Sequence, residues 1–361
     1  MMMKSLEVFR ERVRKCRACG VCRGKYGIGL CPSWICGAGL EDSTPRGRIT
    51  IAMDILGGAI EPSVSLATSL ATCTNCRSCV IQCGATDERG EALFDLPKIV
   101  TAMRSDLLEA GFTPPKIRDF LENIDRQGNP YGEPRGKRGD WSKGTEIKRY
   151  EKGDEFLYHI GCVGSYDTRS QDAARALGEI LIKADLSFGI LGNEEGCDGN
   201  EVNMLGEKGL FDMLVEENIR KFKDLGVRKI VTLSPHAYNA FKNDYPKDFE
   251  VMHYTQLLRD LIKDGRLDLS GGFDAKITYH DPCFLGRHND EYDAPREILK
   301  AIPGVELIEM ERNRENAFCC GGGGGNFYTD FLGGGEDSPA RIRVREAYET
   351  GAEILAVACP I

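Results

Sequence analysis

No stretch of this 361-residue chain approaches the roughly 20 consecutive apolar residues that a membrane-spanning helix needs. The N-terminus, MMMKSLEVFRERVRKC, is charged and helical in pattern and lacks the apolar core of a secretory signal. These absences argue against a helical span of its own. They point to a cytoplasmic, reducing compartment, with attachment to the periphery of a membrane complex left open. Positive charge is also short: 47 Lys and Arg face 56 Asp and Glu, for a net charge of −9, which disfavours a nucleic-acid partner. The glycine run at 321–325 lacks the Lys-Ser/Thr that would make it a phosphate loop.

Cysteine, by contrast, is abundant, with fifteen residues. In a reducing compartment such a load means metal rather than disulfides. The first block is Cys16-x2-Cys19-x2-Cys22-x8-Cys31-Pro32 and the second is Cys73-x2-Cys76-x2-Cys79-x3-Cys83. Three cysteines at two-residue spacing wrap one face of a cubane, and a fourth, beside a proline in the common form, reaches the other cluster. That logic expects one [4Fe-4S] cubane on Cys16, Cys19, Cys22 and Cys83, and a second on Cys73, Cys76, Cys79 and Cys31. Two departures stand out: the eight-residue gap before Cys31, and Gly84 rather than proline after Cys83. Cys36 is left over and could replace Cys31 as a ligand. Paired Cys-x2-Cys units also fit a structural zinc protein.

Between and after the blocks, ITIAMDILGGAI and IVTAMRSDLLEAG read as helices, the latter closed by Gly111. Residues 1–111 are therefore expected to form an α-helical two-cluster ferredoxin domain. Residues 112–154, rich in Pro, Gly and charge, read as a solvated linker, with a docking surface as the alternative. From residue 155 the texture alternates. FLYHIG, IVTLS, KITYH and ILAVA read as buried strands, and the amphipathic segments between them as helices, giving an α/β arrangement of parallel strands. The whole is an α+β multidomain chain.

This α/β region is duplicated, with repeats at 155–272 and 273–361. HIGC at Cys162 parallels HDPC at Cys283, Glu195-Gly196-Cys197-Asp198-Gly199 parallels Ala317-Phe318-Cys319-Cys320-Gly321, and Ser234-Pro235 parallels Cys359-Pro360. Adjacent cysteines do not readily bond to each other. Both thiolates of such a pair can, however, reach one polynuclear iron–sulfur centre. The second repeat keeps four cysteines. The first keeps only Cys162 and Cys197, too few for a cluster, and reads as a site that has lost its metal and closes over the other. Gly321, Gly322 and Gly323 are expected to bring backbone N–H groups close to the second repeat's cluster. His280 is a candidate proton donor to a substrate thiolate, but because His159 keeps the same place in the metal-free repeat it reads first as a polar residue at a strand end.

Stretches such as YHDPCFLGRHNDEYDAPREILKAIPGVELIEMERNRENAFCCGGGGG resemble the CCG-domain (cysteine-rich domain) family of heterodisulfide reductase subunits, over essentially the whole chain. With its N-terminal cysteine blocks it is similar to the D-type subunit. It also resembles iron–sulfur oxidoreductases of fatty-acid and lactate oxidation and a subunit of the tungsten-type benzoyl-CoA reductase complex. The resemblance implies a non-cubane [4Fe-4S] centre on Cys283, Cys319, Cys320 and Cys359. It also implies a further ligand one residue beyond Ile361, so the chain is expected to continue. It implies an electron-transfer subunit working with a flavoprotein, heterodisulfide-reductase-like or acyl-CoA reductase subunits. Disulfide reduction at the non-cubane centre is the enzymatic alternative. The degenerate first repeat departs from subunits with two complete motifs and weighs towards the relay.

Overall fold

The structure, a computed structural model, describes residues 4–24, 29–37 and 39–361. The N-terminal part is helical, with one isolated bridge between Thr86 and Ala92. The helix Pro45–Gly57 begins where the Thr44 hydroxyl accepts the Gly47 N–H at 2.9 Å, with proline in its first turn, and ends at Gly58 with φ +77°. The helix Leu96–Glu109 buries Ile99, Val100, Met103 and Leu107 against Leu6, Ile49 and Leu70. Asp106 on that helix accepts the backbone N–H groups of Ser5 and Leu6 at 2.9 and 2.8 Å, which fixes the N-terminal segment to the same core.

Two all-parallel sheets follow. The first contains β1 (Phe156–His159), β2 (Phe188–Gly189), β3 (Lys229–Thr232) and β4 (Glu250–His253) in the order β2-β1-β3-β4. The second contains β5 (Ala275–His280), β6 (Val305–Leu307) and β7 (Ile354–Val357) in the order β6-β5-β7. The spatial relation of β1, β2 and β3 thus recurs in β5, β6 and β7, as a duplication requires. Phe156, Leu157, Tyr158 and His159 are all buried, which is why β1 reads as a continuous apolar run rather than an alternating one. Cys162, Cys283 and Cys359 lie just past the C-terminal ends of β1, β5 and β7, where open parallel sheets collect ligands.

The segment expected to be a solvated linker is instead packed. Pro115–Gln127 is a helix whose Ile117, Phe120, Leu121 and Ile124 enter the core of the first repeat. Their spacing puts them on one face. Trp141 and Ile147 are buried with Tyr158 and Phe188, and Arg149 forms a parallel bridge with Ile190 at the edge of the first sheet. The many glycines, prolines and charges mask this apolar face in the sequence.

Candidate metal and redox site

Fourteen of the fifteen described cysteines gather in four places; Cys36, half-buried, is not among the cysteines that line the cavity with Cys31. The turn Val21–Arg23 packs on the helix Ser78–Cys83, so that Cys22 has Cys83, Cys16 and Cys19 as neighbouring thiols. Burial, reinforced by these like-charged neighbours, pushes the Cys22 thiol up to about 12. Cys31, Cys73, Cys76 and Cys79 line one cavity. Burial also raises the Cys31 thiol to about 12, against the pull of Arg48. Thiols this reluctant to ionise become ligands when a metal cation takes the proton's place.

The third place is the second repeat. Cys283 and Cys319 are buried together with Phe284 and with Cys76 from the N-terminal part. The Cys319 sulfur is in contact with Cys283, Cys320 and Cys76, and lies 3.6 Å from the Thr74 hydroxyl. Gly321 N–H donates to Cys319 Sγ at 3.4 Å, while Cys320 neighbours Cys359. The second cysteine block and the adjacent cysteine pair therefore share one buried wall. Buried arginine holds them there. Arg287 Nε donates to Cys76 O at 2.6 Å and Nη1 to Ala317 O at 2.7 Å, and the next residue, His288, hydrogen-bonds Asn75 O at 2.7 Å. Arg104 donates to the carbonyls of Leu70 and Cys73 and, across the repeat boundary, to Met204 O.

The residues present suit iron–sulfur groups. The donors are thiols, and beside them stand buried cationic N–H groups with no acceptor: Arg48 Nε next to Cys31, and Arg287 Nη2 next to Cys76, Cys283 and Cys319. A cluster's sulfurs accept such bonds. Among the described residues no three His, Cys, Asp or Glu side chains converge on a point that a single metal ion could occupy. The donors stand around a cavity instead.

His280, weighed as a proton donor, is buried, and its Nδ1 accepts from Arg343 Nε at 3.0 Å. Burial and then Arg343 depress it to about 3, so its ring is neutral. Gly321, Gly322 and Gly323 do lie at the cysteine pair, but what crowds the run is protein: a Cβ on Gly323 would meet Thr74 O at 2.6 Å and one on Gly324 would meet Cys73 O at 2.4 Å. Arg48, Arg104, Arg287 and His288 were not visible as site residues in the sequence, because each acts on a segment far away in the chain. The fourth place, the first repeat, holds Cys162 and Cys197 in mutual contact beside Arg138.

The CCG cysteine-rich domain pattern matches residues 156–242 and 277–361, one match for each sheet. A relative from Methanosarcina barkeri, the D-type subunit of a dihydromethanophenazine:CoB–CoM heterodisulfide reductase, is 31% identical over 372 residues. The match covers 96% of this chain and 86% of that one. The chain belongs to the CCG cysteine-rich domain family. Other relatives share more identity over less of their length. The probable iron–sulfur-binding oxidoreductase FadF of Bacillus subtilis is 40% identical over 80% of this chain, and the EtfAB:quinone oxidoreductase of Syntrophomonas wolfei is 40% identical over 72%. This chain spans only 41% and 37% of those two proteins. A further relative, from Chromohalobacter salexigens, is named a probable membrane-anchored ferredoxin and is 36% identical. No solved structure matches the chain. Among the described residues no helix is long and apolar enough to cross a membrane. This CCG protein is thus related to iron–sulfur oxidoreductases that carry electrons.

Proposed function

We propose that the chain is an iron–sulfur electron-transfer subunit with three centres. Cys16, Cys19, Cys22 and Cys83 would hold one [4Fe-4S] cubane, Cys31, Cys73, Cys76 and Cys79 a second, and Cys283, Cys319, Cys320 and Cys359 a non-cubane [4Fe-4S] centre. When bound, such groups supply one-electron oxidation and reduction. The observation that carries this reading is the contact of Cys76 with Cys319, which makes the second cysteine block and the CCG pair one continuous sulfur-lined wall. Arg287, His288 and Arg104 hold the wall rigid, and rigid, dry surroundings suit electron transfer because little has to reorganise.

In this reading residues 1–111 are the ferredoxin unit and the two repeats a shell around the third centre. Its partners are other redox subunits, of the flavoprotein, heterodisulfide-reductase or acyl-CoA reductase kind, in the cytoplasm or at the edge of a membrane complex. The cavity between the repeats, lined by Cys162, Cys197, His236 and Ile361, measures about 30 Å³. That is room for a water, while a wider cavity of about 350 Å³, lined by Tyr254, Phe327, Cys359 and Ile361, opens beside the third centre. What favours the relay over a disulfide reductase is the first repeat's missing cysteines.

Anaerobic purification with iron quantitation and EPR tests the reading. We expect about twelve irons per chain, four for each of three centres, and S = 1/2 signals on reduction. Fewer than about eight irons with no such signal would defeat it. The isolated chain, given an artificial donor, should not reduce disulfides; turnover without partners would make it a reductase instead.

A further inference from the structure

The first repeat contains a pair of cysteines that the relay leaves unused. Cys162 sits in the first turn after β1, in the helix Gly161–Tyr166, and Cys197 sits in the loop before the helix Asn200–Leu205. Both are buried, 6% and 7% exposed, and their thiols are in hydrogen-bond contact. Arg138, 1% exposed, places Nη1 3.6 Å from Cys162 Sγ. Nη2 donates to Glu195 Oε1 and Gly196 O, both at 3.0 Å, Nε donates to Glu195 Oε1 at 3.4 Å, and Nη1 also donates to Gly128 O at 3.2 Å. Glu195 in turn accepts the backbone N–H groups of Ile160 and Gly161, each at 3.0 Å, which ties the arginine to the loop that carries Cys162.

Burying a guanidinium is expensive unless it is paired and its donors are satisfied. Two thiols that merely filled space would need no such neighbour. Nor can the pair be half of a metal site of the second repeat's kind, since Asp198, Ser234 and Ala237 stand where further thiolates would be. The Cys162 thiol is held below its ordinary value, first by the hydrogen bond from Cys197 and, against burial, by Arg138; Cys197 is pushed correspondingly well above. One reactive and one resolving thiol is the arrangement of a redox dithiol.

We propose that Cys162 and Cys197 form a redox-active dithiol that closes reversibly to a disulfide, a two-electron store beside one-electron carriers. On oxidation two S–H bonds break and one S–S bond forms. Two electrons leave singly to carriers of the iron–sulfur class, and two protons leave past Asp198, which is half-buried on the cavity wall. On reduction the S–S bond breaks as two electrons and two protons return, and Arg138 faces the negative charge that appears on Cys162 before its proton arrives. The cavity joins the pair to the second repeat. His236, on the same wall, contacts Cys359 and hydrogen-bonds Glu201 at 2.6 Å. Only the source of the electrons rests on the relay reading.

The test poises the full chain anaerobically, once with mixtures of reduced and oxidised dithiothreitol and once with mediator dyes. Each sample is acid-quenched, unfolded, alkylated and peptide-mapped. The expected result is a reversible link between the peptides carrying Cys162 and Cys197, titrating with a two-electron slope. Cys197→Ser should abolish the link with iron per chain unchanged. Arg138→Met should shift the midpoint at least tenfold in the dithiol-to-disulfide ratio towards the disulfide, because the charge that favours the thiolate is gone. Two independently alkylated thiols at every poise would sink the proposal. So would the loss of about four irons in Cys197→Ser, which would make these residues cluster ligands. An iron-free chain defeats the relay, yet the dithiothreitol series still reads the pair. The wild-type map decides even where a variant fails to fold.

Discussion

Single glycines determine how closely the N-terminal part and the second repeat approach. At Gly324 an added Cβ would stand 2.4 Å from Cys73 O, and the backbone there has φ +63°, which side chains rarely adopt. Gly334 has open space around it. Gly324→Ala should therefore cost about 1–3 kcal/mol in chemical denaturation, from crowding plus left-handed strain. Gly334→Ala should stay within about 0.5 kcal/mol. Equal costs at the two sites would mean that close approach is not why the run is glycine. The same residue scale shows why the sequence was only partly readable. A run of glycines beside a cysteine pair announces that something comes near. It does not say that the neighbour includes the backbone of Cys73 and Thr74, because nothing local encodes a contact between positions 245 residues apart, the separation of Thr74 from Cys319.

Elements were readable in proportion to how strongly their pattern repeats. β1, β3, β5 and β7 carry apolar stretches and stood out, although β7, expected to be buried, is an edge strand with Ile354 and Val357 exposed. β2, two residues long, and β6, three, are too short to show a period. The helix Pro115–Gln127 was hidden for a different reason: its apolar face is regular, but the segment around it is dominated by glycine, proline and charge. Phe120 on that face is 3% exposed and its ring centre lies 5.4 Å from that of Tyr328 of the second repeat. Phe120→Ala should destabilise the chain by about 3–5 kcal/mol through the lost burial and the cavity left behind. Asp119→Ala, on the exposed side, should change stability by less than about 0.5 kcal/mol. A linker would tolerate both equally, so urea titration of the two variants separates a linker from a packed helix.

At the scale of the whole molecule, the cysteine spacings indicated which thiols belong together within each block, but not that Cys76 belongs to two neighbourhoods at once. That sharing has a consequence for unfolding. Arg104 and Arg287 connect the N-terminal part to both repeats through buried hydrogen bonds, and breaking one such set exposes unpaired carbonyls at a cost of about 1–3 kcal/mol each. The loaded chain should therefore melt as one unit. The chain's two tryptophans make this measurable: Trp34 lies in the N-terminal part, with Arg23 over its ring, and Trp141 is buried in the first repeat. In Trp141→Phe the fluorescence follows Trp34, in Trp34→Phe it follows Trp141, and with metal bound the two curves should coincide. Stripping the iron with an anaerobic chelator removes binding energy that in small metal domains is folding energy. The repeats keep their sheet cores, but the N-terminal part, built around its cysteine blocks, does not keep its centre. The Trp34 curve should then fall to a lower temperature and separate from the Trp141 curve. Curves that already diverge in the loaded chain would show that the arginines do not couple the parts. Curves that stay together and unmoved after stripping would show that metal contributes nothing to the fold of the N-terminal part.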